Sequence, residues 1–554
     1  MVKLAFFEPY RKVGNHMETL GVVLPYLLQQ RALESPDRRF LRELDGPSRT
    51  FGDVYDAARL WSDVLAEQGV DRGDFVAAML PNGILTTEVW LGINGLGAVE
   101  VPIHTDYRGR LLVHVLNTAG AKCLVIAEQF AERLAEIASS LTFLESVIIA
   151  DMTGAPPDLP FEIHAGDDVI AKADKRDPVL GLRDGDVSTT LFTSGTTGAS
   201  KGVLIPYGHL RASTEGAWPA EHLRQRDVNY VILPNFHISS KVAIFSMLAA
   251  GGGIAFRERF STTRFWEDIK TAGATCTCLM GAMAAFLMSM PEQPEDADTT
   301  LDKVLLLPLP ASLPQFRKRF NLSVRTIYNQ TEISVPVSSP AFDAVDYESC
   351  GQLRDGYECR LVDADDRPVE VGELGELIVR AAVPWTMMAG YIGQPEKTVE
   401  LMRNQWIHTG DLLRVDAGGN YRFVDRLKDV IRRRGENISS VEVEEAVCDH
   451  DDVIEAAAIP VSSEWTEDEV KVFVICKPGS TLSPEKLIEY LEPRMPRFMI
   501  PRYVEFVSEL PKTPTQKVQK AELRKLGVTG STWDRLADKE AALRAETDRK
   551  GQSQ

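Results

Sequence analysis

The sequence predicts an α/β protein. A large N-terminal domain of parallel, doubly wound sheets carries a small β-rich subdomain, and a small α+β C-terminal domain follows. Three observations lead there. Apolar strand-like runs alternate with helix-spaced segments through residues 51–150, the pattern of βαβ units and a parallel sheet. Past residue 350 the texture changes to shorter strands separated by turns. The chain has 554 residues, too many for a single core. The expected division is 1–426, 427–530 and a charged tail over 531–554.

The elements follow in order. Residues 51–69 place Val54, Ala57, Leu60, Val64 and Leu65 at helical spacing, and Asp74 to Leu80 then reads as a buried strand. A helix from Leu85 to Leu96 precedes a strand over Gly97 to Pro102. Helices near 109–119 and 128–140 alternate with strands at Cys123–Ile126 and Ser146–Ala150. Further on, Asp363-Ala364-Asp365-Asp366 between two short strands reads as a hairpin turn, since the spacing and closing glutamate of a calcium loop are absent. Near the C-terminus, Ser440–Cys448 and Pro484–Leu491 read as helices, and Ile454–Ile459 and Val470–Cys476 as strands. The tail from Ser531 reads as a short helix fraying by Gly551. No fixed-period repeat is present.

Composition excludes several classes. A formal charge of −19 argues against a nucleic-acid partner and against attraction to anionic membranes. The longest apolar candidate, Val242 to Phe256, is broken by Gly251-Gly252-Gly253, so no integral membrane association is expected. Glu8 and Pro9 stand where a signal peptide needs an apolar core. Seven scattered cysteines include no zinc pair, since Cys276-Thr277-Cys278 is too tight and has no second pair near it. A reduced, cytoplasmic protein is expected.

The most informative stretch is Thr193-Ser194-Gly195-Thr196-Thr197-Gly198-Ala199-Ser200-Lys201-Gly202, directly after the strand-like run Val187 to Phe192. Glycines let the backbone approach an anion, hydroxyls add donors, and the lysine supplies a positive charge for phosphate oxygens. It is a polyphosphate cradle but not a Walker A loop, because Lys201 precedes Gly202 rather than a hydroxyl residue.

This stretch resembles the signature of the acyl-adenylate-forming (AMP-binding) enzymes: acyl-CoA synthetases, peptide-synthetase adenylation domains and beetle luciferases. Further motifs similar to the family's occur in its order over about residues 20–525. Leu233-Pro234-Asn235-Phe236-His237 resembles the segment at the mouth of the acyl pocket, so His237 is either a gate or a structural histidine. Tyr328-Asn329-Gln330-Thr331-Glu332 resembles Tyr-Gly-x-Thr-Glu. The resemblance gives Tyr328 to adenine, Thr331 to the α-phosphate and Glu332 to Mg²⁺, and Asn329 takes the glycine's place as a residue that also accepts positive φ. Thr409-Gly410-Asp411 matches the element whose aspartate holds the ribose hydroxyls. In Asp425-Arg426-Leu427-Lys428, Arg426 would contact ribose and Lys428 would sit at the hinge of a mobile C-terminal domain.

Arg432-Arg433-Arg434-Gly435-Glu436-Asn437 looks like the loop used in the second half-reaction. Gly435 would leave room for pantetheine, with Arg434 and Glu436 beside it, and the arginines would meet CoA phosphates or form a solvated basic face. Leu510 to Lys517 resembles the closing Pro-Lys-Thr-x-x-Gly-Lys motif, with Gln516 in place of glycine and the catalytic lysine kept as Lys517. Leu307-Pro308-Leu309-Pro310-Ala311-Ser312 replaces the family's Gly-Gly-Ala, a stiffer wall with fewer N–H donors. With the Arg434–Ser439 and Thr105–Gly109 segments, it makes the chain most similar to the crotonobetaine/carnitine-CoA ligase-like branch.

The resemblance therefore implies an ATP-dependent, AMP-forming ligase using Mg²⁺, coenzyme A and a small carboxylic acid. Its nucleotide site would comprise Thr193, Ser194, Gly195, Thr196, Thr197, Gly198, Lys201, Tyr328, Asn329, Gln330, Thr331, Asp411, Arg426 and Lys517. Lys517, Thr331 and Glu332 would be catalytic, and His237, Gly281, Pro308 and Ile333 would line the acyl pocket. Loading of a carrier protein or amine, luciferase-type oxidation and non-catalytic nucleotide binding stay open as alternatives. So does a homodimer.

Overall fold

The computed structural model describes residues 23–193, 200–344, 346–433, 438–462, 468–512 and 517–537, with backbone alone for 11–13, 16–18, 436 and 437. The chain divides into two compact units. The first comprises Met1–Cys359, Ile378–Thr409 and Ala417–Tyr421; the second comprises Arg360–Leu377, Gly410–Asp416 and Arg422–Gln554.

In the first unit an eight-stranded sheet forms where the alternation predicts it. Its order is Gly390–Tyr391, Lys201–Pro206, Val187–Thr193, Val99–Pro102, Phe75–Met79, Cys123–Ile126, Ser146–Ile149, Glu162–Ala165. The last six run parallel and the first two pair antiparallel. The helix Phe51–Glu67 starts at a capping box, in which Thr50 and Asp53 satisfy each other's backbone N–H groups. With helices Ile84–Gly95 and Gly109–Ala119 it buries Val64, Leu65, Val89, Ile93, Leu112 and Val115 against strand residues such as Val76, Val101 and Leu124. The helix expected to reach residue 140 ends at Ala135, and a 3₁₀ turn covers Ala138–Ser140.

A second, seven-stranded sheet follows the same logic, in the order Ser323–Arg325, Lys303–Leu307, Cys276–Met280, Val228–Val231, Gly253–Phe256, Arg39–Glu43, Ser48–Thr50. The apolar run from residue 242 is not one element: helix Ile238–Ala250 stops at Gly251 (φ 69°) and strand Gly253–Phe256 begins. No helix among the described residues is long and apolar enough to cross a membrane. The β-rich part begins with the antiparallel strands Ile327–Gln330, Ser334–Ser338 and Gly351–Leu353. Four strands, Tyr357–Val362, Gly375–Ala381, Ile407–Val415 and Asn420–Arg426, start in one unit and end in the other.

The second unit is built on strands Val453–Ser462, Asp468–Cys476, Tyr503–Phe506 and Trp533–Asp534, with helices Ser440–Cys448, Pro484–Leu491 and Lys520–Leu526. Val443, Val447, Ala458, Val472, Leu487 and Val504 form its core. The acidic tetrad is a turn: Asp363 Oδ1 accepts from the N–H groups of Asp365 and Arg367 at 2.9 Å each. Residues 531–537, expected to begin a helical tail, instead contribute a short strand. Trp533 and Asp534 pair with Tyr503–Val504, and Asp534 binds Arg502 at 2.9 Å.

Candidate active site

Strands Val187–Thr193 and Lys201–Pro206 are antiparallel neighbours, and Thr193 lies directly opposite Lys201. The cradle is thus tethered at two facing strand ends. Ser194, Gly195, Thr196, Thr197 and Gly198 lie outside the described residues. His114 Nε2 donates to the Ser200 carbonyl at 2.7 Å and fixes the loop's exit. Gly202 is required by close approach, because a Cβ there would come within 2.5 Å of Ile392 Cγ2.

Lys201 is half-buried, and among the described residues no carboxylate or carbonyl takes its ammonium. Its Nζ stands 4.7 Å from the centroid of the Tyr391 ring, a cation–π contact. The Tyr391 hydroxyl donates to Glu332 Oε1 at 2.8 Å. Burial first, then the Glu332 charge, raises the phenol's pKa well above its ordinary value, so Tyr391 stays a donor. Glu332 Oε2 has no hydrogen-bond partner among the described residues. Lys201 and Glu332, which stand in separate motifs of the sequence, are joined by a tyrosine that belongs to neither; Gly390-Tyr391-Ile392-Gly393 is its only local signal.

Tyr328 is buried, and its hydroxyl accepts from Gln330 Nε2 at 3.3 Å; the same nitrogen donates to the Thr409 carbonyl at 3.0 Å. Thr331 and Glu332 occupy the turn between the two strands that follow from this motif. Asn329 does not adopt the positive φ anticipated for it. It lies inside strand Ile327–Gln330, where the register shifts between Tyr328 and Gln330, so a bulge accommodates the residue.

For the acyl pocket, parallel strands bring Met280 opposite Leu307, and a Cβ on Gly281 would come within 2.9 Å of the Pro308 carbonyl. Those two candidates are in contact. Ile333 is fully buried in the turn after Glu332. His237 precedes helix Ile238–Ala250, its ring 4.9 Å from Phe236, which in turn lies 4.1 Å from His104.

In the second unit, Asp411 is 4% exposed and lies 3.5 Å from Arg426 Nε. Lys517 is open to solvent, yet protein crowds its ammonium. That desolvation, and then Arg426, lower its pKa below the usual lysine value against the opposing charge of Asp411. Lys517, Arg426 and Asp411 therefore share one electrostatic neighbourhood. Lys428 is exposed in the turn after strand Asn420–Arg426. Arg434 and Gly435 lie outside the described residues, and only the backbone of Glu436, in strand Glu436–Ile438, is described. Arg433 is neither a solvated charge nor free for CoA. It is 3% exposed, paired with Glu469 at 2.6 Å, and donates to the carbonyls of Phe498 at 2.8 Å and Ile500 at 3.1 Å.

No group of three or more His, Cys, Asp or Glu among the described residues is placed to hold a metal alone. A single carboxylate with an unengaged oxygen suits Mg²⁺, which takes one or two carboxylates together with substrate phosphates.

Residues 28–392 match the model of the AMP-binding enzyme family, and residues 442–517 that of the AMP-binding enzyme C-terminal domain. A crotonobetaine/carnitine–CoA ligase of Salmonella paratyphi B is 29% identical over 470 residues, covering 82% of this chain and 89% of its own. The anthranilate CoA ligase AuaEII in complex with anthranoyl-AMP has the same fold, with TM-score 0.81, 23% identity, and 91% and 96% of the two chains covered. The o-succinylbenzoate coenzyme A synthetase of Bacillus subtilis in complex with ATP and magnesium ion gives 0.77 at 23% identity over 90% and 99%.

Proposed function

The chain belongs to the AMP-binding enzyme family, and on that premise we propose that it is an ATP-dependent, AMP-forming ligase that joins a carboxylic acid to coenzyme A. The observation that carries the reading is the gathering of Lys201, Tyr391 and Glu332 at the paired ends of the phosphate-loop strands.

A substrate carboxylate oxygen attacks the α-phosphorus of ATP; the bond to the β-phosphate oxygen breaks and pyrophosphate leaves. The product is an acyl-adenylate, whose AMP is a good leaving group where carboxylate oxygen was a poor one. The CoA thiol then loses its proton and attacks the acyl carbon, forming the thioester and releasing AMP. The protein supplies position and charge rather than covalent chemistry.

Lys201 and Thr331 hold phosphate oxygens, and Lys517 meets the charge building between the α-phosphate and the acyl oxygen. Asp411 accepts from the ribose hydroxyls, with Arg426 beside it. Glu332 would hold Mg²⁺, which when bound screens the polyphosphate charge. Lys517 and the Arg434-Gly435-Glu436 loop lie on different stretches of the C-terminal region, so a turn about Lys428 would present first one and then the other.

Gly281, Pro308 and Ile333 line a mostly apolar acyl site beside Met280 and Leu307, suited to a small or medium organic acid. A panel of such acids, including crotonobetaine, carnitine, anthranilate and o-succinylbenzoate, tests the reading by pyrophosphate release with and without CoA. At least one acid should release pyrophosphate and, with CoA, give a thioester. Release with no acid dependence would refute it.

A further inference from the structure

Tyr391 joins the two charged groups of the phosphate site, and the mechanism above gives it no task. It is 5% exposed and stands on a strand end rather than a loop tip. Its backbone is pinned on both sides. Ala389 N–H donates to the Leu204 carbonyl at 3.0 Å, Ile392 N–H to Gly202 at 2.9 Å, and Met388 N–H to the Glu332 carbonyl at 3.0 Å. Its own N–H donates to Thr398 Oγ1 at 2.9 Å. One short segment thus binds both the strand that begins at Lys201 and the turn that carries Glu332.

A glutamate has three side-chain torsions and two equivalent oxygens, so an unrestrained carboxylate presents neither oxygen in particular. The phenol removes that freedom by taking Oε1, which leaves Oε2 without a hydrogen-bond partner among the described residues. The ring's other contribution is to Lys201, whose flexible stem would otherwise let the ammonium sample solvent. A face of π-density offers attraction without neutralising the charge, as a carboxylate partner would.

We propose that Tyr391 is a positioning residue for adenylation: its hydroxyl sets the Glu332 carboxylate for Mg²⁺ and its ring holds Lys201 ready for the phosphates. The inference rests on the reading of Glu332 as the metal ligand. Partners that orient a metal-binding carboxylate are worth roughly 10–100-fold in metal affinity or activity.

The test is direct metal binding, read by Mn²⁺ electron paramagnetic resonance at saturating α,β-methylene-ATP without acid substrate, alongside melting temperature. Tyr391→Phe keeps the ring and loses the donor. It should weaken Mn²⁺ binding about tenfold or more, with nucleotide affinity at saturating metal and thermal stability unchanged. Tyr391→Leu should also weaken nucleotide binding, because Lys201 loses its ring. On a Glu332→Gln background, Tyr391→Phe should add nothing to the metal defect. Wild-type metal affinity in Tyr391→Phe overturns the proposal, and so does an undiminished Tyr391→Phe effect on the Glu332→Gln background. If Glu332→Gln alone leaves Mn²⁺ affinity unaltered, the metal assignment itself fails, a result distinct from either.

Discussion

In the proposed reaction Lys517 would act in its protonated form, and its surroundings work against that. Crowding by protein and the Arg426 guanidinium draw its pKa below the ordinary lysine value, and Asp411 opposes them. The sign follows: the alkaline limb of acid-dependent pyrophosphate exchange should fall at lower pH than an ordinary lysine would give. Arg426→Gln removes a positive neighbour and should move that limb to higher pH, whatever it does to the KM for ATP. A kcat–pH profile checks this, and a limb that stays put or moves to lower pH contradicts the coupling. Lys517, Glu332 and Asp411 were recognisable in the sequence as candidates because each sits in a motif with fixed spacing. Tyr391 was not, because its chemistry arises only when its strand pairs with Lys201–Pro206, and pairing across distant segments has no local signature. Asn329 shows the reverse limit: a residue tolerant of positive φ does not establish that positive φ is used.

Among the elements, helix Ile238–Ala250 shows what hydrophobic patterning conceals. Its run of apolar residues encloses Lys241, fully buried, bonded to Glu100 and lying 4.0 Å over the Trp90 ring. Glu100 also accepts from Thr189 at 2.8 Å. The pair therefore links the helix after His237 to the strand that leads into the phosphate loop. Burial pushes both groups toward neutrality while their mutual attraction restrains it. Removing one partner leaves an uncompensated buried charge, so Lys241→Met should lose about 3–5 kcal/mol of stability, and Lys241→Met with Glu100→Leu should recover most of that. Urea denaturation of the two single variants and the double variant reads this; a double-variant loss equal to the sum of the two single losses would show that the pair is not coupled. Helix and strand identity here was legible from periodicity, from Phe51–Glu67 through Ser146–Ile149. Strand order was not, since periodicity says which face is buried but not which strand lies beside it. The helix expected over 128–140 ends at Ala135 although Ile137 and Leu141 continue its apolar spacing into the same core, with a 3₁₀ turn over Ala138–Ser140, so spacing alone did not place the end.

For the whole molecule, the chain enters the second unit for the last time at Arg422. Arg360–Leu377 and Gly410–Asp416 also cluster with that unit, a non-contiguous assignment that a linear reading of composition has no means to produce. Tertiary pairing also decided the fate of residues 531–537. Their charge suggested a tail, yet Arg502 neutralises Asp534 and Trp533 pairs with Val504. The proposed reaction asks one chain to perform two half-reactions with different parts of its C-terminal region. Its most direct test is to measure the two steps separately in two variants, following acid-dependent pyrophosphate exchange and the conversion of supplied acyl-adenylate to thioester. Lys517→Ala should lose exchange by several orders of magnitude and keep thioester formation, and Gly435→Leu should keep exchange and lose thioester formation. Loss of the same step in both variants would contradict the account.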